Sequence, residues 1–188
     1  MSTLVLQPTD TAQWHALVAE AQQACCHSLD EPLESYLVFM LMRFTGRADL
    51  VARAMALDFL DAQTERNRQP DRLREVGDKC LLFSGFFPQI AEKRLVRVSY
   101  FVRLGRSAYQ QLANLVDREA DSLYARLADA FVPVMDVLQA MRGLSGEPVL
   151  GPLAAAELWA DTGGRVAFRT VGEASDGLPA PAESRGNH

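Results

Sequence analysis

The chain has 188 residues, which suits one domain of roughly 100–200 residues whose core needs no cross-links. Hydrophobic residues make up 48% and charged residues 23%, an ordinary globular mixture. The net charge of −5 argues against general, non-specific nucleic-acid binding, although a local basic patch stays open. Cys25, Cys26 and Cys80 are too few for a disulfide framework and imply reduced thiols in a cytoplasm.

Residues 1–8 combine no basic region with no long apolar run, so no signal peptide is expected. Thr3–Gln7 is read as a short strand before Pro8. A first helix then starts near Thr9–Thr11, with Trp14, Leu17, Val18, Ala21, Cys25 and Leu29 at helical spacing. Asp30 is the expected cap of a second helix, with Glu31 and Pro32 in its first turn and Gly46 as its stop. Within it lies Tyr36–Met42, and Arg43 is the only charge between Glu34 and Arg47. Apolar on every side, this run is expected to be a central rod buried on every side. It is far short of the about 20 apolar residues that cross a bilayer, so no membrane span is expected.

A third helix is expected from about Arg47 to Arg68. Its apolar stripe of Leu50, Val51, Ala54 and Leu57 continues as Asp58, Asp61 and Glu65. Carboxylates turned toward a core must be paired, bind a metal or protonate. A fourth helix follows Gln69-Pro70-Asp71 and ends at Phe86-Phe87-Pro88, with Gly77 and Gly85 marking close approach of a neighbour or a break. Gln89 to Val116 reads as one helix or two, with Gly105 as the candidate break. Leu123, Leu127, Phe131, Val134, Leu138 and Met141 define the clearest helix, capped by Asp121, stopped by Gly143 and kinked at Pro133. Pro152–Trp159 is the last helix. Arg165–Val171 reads as a strand, pairing with residues 3–7, and the Gly-, Pro-, Ala- and Ser-rich chain after 172 as mostly disordered.

The expected fold is therefore all-α: an irregular bundle of six to seven helices over residues 1–162, a C-terminal extension over 163–188, and a short terminal two-stranded ribbon.

Chemistry-bearing motifs are sparse. The acidic stripe of Asp58, Asp61 and Glu65 is the metal candidate, yet none of His15, His27 and His188 follows a glutamate at the three-residue spacing of di-iron bundles. Ion pairing is the plainer reading. Its partners would come from Lys93, Arg94, Arg97, Arg103 and Arg106, in a stretch with no acidic residue between Glu92 and Asp117. There is no Gly-x-Ser-x-Gly elbow, P-loop or dinucleotide fingerprint, and no cofactor is implied. Cys80 reads as inert packing, Ser84 as a helix-end hydroxyl, Phe86, Phe87 and Trp159 as core, and His15 as a surface residue.

Gly77-Asp78-Lys79-Cys80-Leu81-Leu82-Phe83-Ser84-Gly85-Phe86-Phe87-Pro88, with Ser99-Tyr100-Phe101 and Gly105-Arg106-Ser107-Ala108-Tyr109, resembles a pattern in a group of uncharacterised bacterial helical proteins. The resemblance implies a bacterial source and a shared structural centre. It brings no activity, cofactor or catalytic residue. The same residues suggest a polar-lined apolar pocket between 77–88 and 100–109, with Asp78, Tyr100, Arg103, Arg106 and Tyr109 as candidate ligand contacts.

Three functions follow in order of expectation. The first is a non-enzymatic cytoplasmic protein acting on a protein partner or as a homodimer through the 123–141 stripe, in a regulatory role. The second is a binder, or enzyme, for a small anionic ligand in that pocket. The last is nucleic-acid binding through 93–106, which the overall charge disfavours.

Overall fold

A computed structural model describes residues 10–45, 70–116, 122–144, 146 and 149–176. These form nine α-helices with no strand among the described residues: α1 (Asp10–Cys25), α2 (Glu31–Thr45), α3 (Pro70–Gly85), α4 (Gln89–Lys93), α5 (Val98–Val116), α6 (Leu123–Asp129), α7 (Phe131–Leu144), α8 (Pro152–Thr162) and α9 (Arg165–Asp176). The all-α class holds, with more and shorter helices than the six to seven expected.

The extra breaks have local causes. Gln89–Val116 divides at Arg94–Arg97, where Leu95 takes φ +55, and not at Gly105, which sits inside α5. The expected long helix around Pro133 divides at Ala130. Proline cannot donate to the carbonyl four residues back, at Asp129, so α6 ends there and α7 begins with Pro133 in its first turn. Ser122 is the N-cap of α6, its Oγ accepting the Ala125 amide at 3.2 Å, one residue after the expected Asp121. Asp30 Oδ1 accepts the Leu33 amide at 3.0 Å and starts α2 as read.

The terminal ribbon is corrected in its C-terminal half. Arg165–Val171 is helical, part of α9. Its β-branched residues suggested a strand, but Val166, Ala167, Thr170 and Val171 recur at helical spacing, and the first two are buried. The chain after Gly163 thus packs on α8, and α9 continues past 172 to Asp176. Residues 3–7, Gly46, the expected third helix and the tail beyond 176 lie outside the described residues.

Leu37, Val38, Met40 and Leu41 are buried in the main core, as the rod reading requires. Phe39 departs from it at 61% exposed, so one side of α2 is open. Elsewhere in that core α3 and α5 make the most extensive helix pair, and α1 packs across α7. Glycine sets the α3–α5 separation. A β-carbon at Gly105 would lie 2.5 Å from Phe131 Cε2 and 2.8 Å from Cys80 Cβ.

Candidate functional site

Where α3 crosses α5, Asp78 is fully buried. Its Oδ1 accepts the hydroxyls of Tyr36 (2.6 Å) and Tyr109 (2.7 Å), and its Oδ2 meets the Arg43 guanidinium. Two of these three donors come from α2, so one carboxyl ties three helices together. Tyr36, Tyr109 and Tyr124 gather around it in edge and stacked contacts with centroids 6.2–6.4 Å apart. Burial pushes the Asp78 carboxyl above the ordinary carboxylate value, and the two tyrosine hydrogen bonds and the Arg43 charge only partly offset it. Burial also raises the phenols of Tyr36 and Tyr109, and the neighbouring Asp78 raises them further. A carboxyl with no exposed surface and every oxygen engaged is built to hold helices, not to meet a substrate.

The structure therefore divides the expected pocket. Asp78 and Tyr109 come together, in the interior. Arg103 and Arg106 lie on another face of α5, along an open cleft of about 210 Å³ lined also by Ser99, Val102, Val132, Asp161 and Thr162. Tyr100 joins neither group. It is half-buried, with its ring 5.7 Å from that of Phe101. Asp58, Asp61 and Glu65 fall outside the described residues, and among the described residues no cluster of three His, Cys, Asp or Glu side chains is arranged to hold a metal.

A second buried carboxyl belongs to Asp136 on α7. Its Oδ2 accepts the Arg165 backbone amide at 2.8 Å and lies 2.9 Å from His27 Nε2; its Oδ1 is 3.4 Å from the Val166 amide. The first amides of a helix have no partner within it. Asp136 thus caps α9 from a different helix. In return the Arg165 and Arg169 side chains reach the carbonyls of Cys26 and Ala24 at the end of α1.

Residue type and spacing name neither Tyr36 and Arg43 as partners of Asp78 nor the pair His27 and Asp136. A signal existed for both. Arg43 is the lone charge after a run of seven apolar residues, and Asp136 is the lone charge between Phe131 and Met141. A solitary charge in an apolar stretch implies a buried partner elsewhere in the chain.

The basic stretch is partly committed to structure. Arg97 lies 3.6 Å from Glu157 and 3.7 Å from Asp161 on α8, and Arg106 Nε donates to the Ala128 carbonyl at 3.0 Å. Cys80 is buried, and its thiol is pushed well above the ordinary value by that burial. His15 is partly exposed, 3.0 Å from Glu34 Oε1. Trp159, expected in the core, is 42% exposed and packs against Phe168 of α9, itself 57% exposed, with ring centroids 5.2 Å apart. Comparison with known proteins returned no matching family model, no matching curated protein and no matching solved structure.

Proposed function

We propose that this is a non-enzymatic, cytoplasmic helical protein that works by contact with another protein surface, either a second copy or a distinct partner, and that the contact is centred on the α8–α9 hairpin. The observation that carries this reading is the exposed Trp159–Phe168 pair. Aromatic side chains dominate the binding energy of interfaces, and these two are held side by side on packed helices. The buried ionisable groups support the same reading. Asp78 and Asp136 are consumed in joining helices, and Gly77, Asp78 and Tyr109, part of the motif that resembles a bacterial helical group, lie together where α3 meets α5. The free thiols of Cys25, Cys26 and Cys80 fit a reducing compartment.

Light scattering coupled to size exclusion tests the self-association arm. A dimer mass that rises with concentration in the native protein, and falls to a monomer in Trp159→Ala/Phe168→Ala, supports it. A strict monomer leaves the partner arm, tested by immobilising both proteins in host extract. A defined partner retained by the native chain and released by the double variant supports that arm. Identical behaviour of the two proteins in both measurements defeats the proposal.

A further inference from the structure

The cleft beside α5 carries a separate inference, independent of the contact surface. Ser99, Val102, Arg103 and Arg106 stand at i, i+3, i+4 and i+7, so one face of α5 presents all four to the cleft. Val132 of α7 and the end of α8, Asp161 and Thr162, complete its lining. The acidic member is already engaged. Asp161 Oδ2 accepts the Ser99 hydroxyl at 2.6 Å and faces Arg97. Arg103 has no ion pair among the described residues, and Arg106 uses only Nε, toward Ala128, leaving its terminal nitrogens available. Two guanidinium groups thus border one small depression without a carboxylate of their own.

We infer that this cleft binds a small oxyanion, a phosphoryl or short carboxylate group, gripped by Arg103 and Arg106. The planar fork of arginine matches both kinds of oxyanion. Size sets the upper limit. At about 30 Å³ per water the cleft has room for roughly seven waters, and it falls below the about 300–1,000 Å³ of sites for drug-sized ligands. A free ion or the charged end of a larger molecule fits; the body of a nucleotide does not. Val102 and Val132 provide the apolar part of the lining.

Isothermal titration and thermal unfolding of the full chain, with inorganic phosphate and with malonate at ionic strength fixed by chloride, test the inference. At least one of the two anions is expected to bind and raise the unfolding temperature beyond chloride. Arg103→Gln is expected to weaken that binding at least tenfold without lowering the anion-free unfolding temperature, and Arg103→Lys to recover part of it. Binding of phosphate alone assigns a phosphoryl ligand, binding of malonate alone assigns a carboxylate, and binding of both supports the shared chemistry. No effect of either anion beyond chloride overturns the inference. So does native affinity in Arg103→Gln.

Discussion

The ring of Tyr109 occupies the space that a side chain at Gly77 would need: a β-carbon there would lie 2.5 Å from Tyr109 Cε1. Tyr109 cannot retreat easily, because it is fully buried and its hydroxyl is bonded to Asp78, the residue next to that glycine. Gly77→Ala gains about 1 kcal/mol of helix propensity, but overpacking costs about 1–3 kcal/mol, and more where the neighbour is fixed. The variant is expected to be less stable than the native chain, read as a lower urea midpoint at unchanged slope. Combined with Tyr109→Leu, which vacates the space, its cost is expected to shrink, so the two effects are less than additive.

Removing the carboxyl is expected to be the more severe change. Asp78→Ala leaves the buried Tyr109 hydroxyl, the part-buried Tyr36 hydroxyl and the half-exposed Arg43 guanidinium without their acceptor, a loss of about 1–3 kcal/mol for each buried group left unsatisfied, measured by equilibrium unfolding. Asp78→Asn keeps an acceptor for Tyr36 and Tyr109 and is expected to cost much less. The two variants also differ in pH dependence. Because the native Asp78 carboxyl titrates above its unfolded value, its contribution is full below the ordinary carboxylate range and is lost as pH rises through the raised native value. The stability of the native chain relative to Asp78→Asn is therefore expected to fall with rising pH across that window, and to be flat outside it.

The phenols give a spectroscopic test of the same cluster. Tyr36 and Tyr109 are held above the ordinary tyrosine value, about 10, by burial and by Asp78. Ultraviolet titration of the folded protein is expected to miss both until alkaline unfolding. Tyr36→Phe and Tyr109→Phe should then reproduce the native titration curve while the protein stays folded. Stability from these two residues is present below the unfolded value and lost as pH climbs above it.

Docking of α9 depends on Asp136. Asp136→Ala removes the cap from the Arg165 and Val166 amides and the partner of His27 at once. Losing a cap costs about 0.5–2 kcal/mol, and here the part-buried His27 loses its partner as well. Limited proteolysis is expected to cut the variant near Gly163–Gly164 sooner than the native chain. His27→Ala, which leaves both cap bonds intact, is expected to protect this junction better than Asp136→Ala does.

Much of the architecture was legible because short-range rules decide it. Asp30 starts α2, Phe86-Phe87-Pro88 ends α3, and the all-round apolar run 36–42 puts Leu37, Val38, Met40 and Leu41 inside, though not Phe39. The splits at Leu95 and Ala130 are local too, but the segment misread as a strand answers to a distant partner. Arg165–Val171 has helical spacing, but its cap comes from Asp136, 29 residues earlier in the chain, a pairing the segment itself does not name. The candidate site failed for a related reason. Tyr109 and Arg106 are three residues apart on α5, yet one turns toward Asp78 in the core and the other toward the cleft. Residue type alone placed them in one pocket; the burial of each face separates them.

The central proposal is that the buried carboxyls serve the fold while contact with a protein partner is made by the outer surface of α8 and α9. One association assay on three proteins tests it most directly: the native chain, Trp159→Ala/Phe168→Ala and Asp78→Asn, each sedimented with its binding partner, a second copy included. Truncating interface anchors costs about 2 kcal/mol or more, roughly 30-fold in affinity. The aromatic double variant is expected to lose at least that factor while unfolding at the native temperature, and Asp78→Asn to associate as the native chain does. Native-like association of the aromatic variant, or a loss confined to Asp78→Asn, would contradict the account.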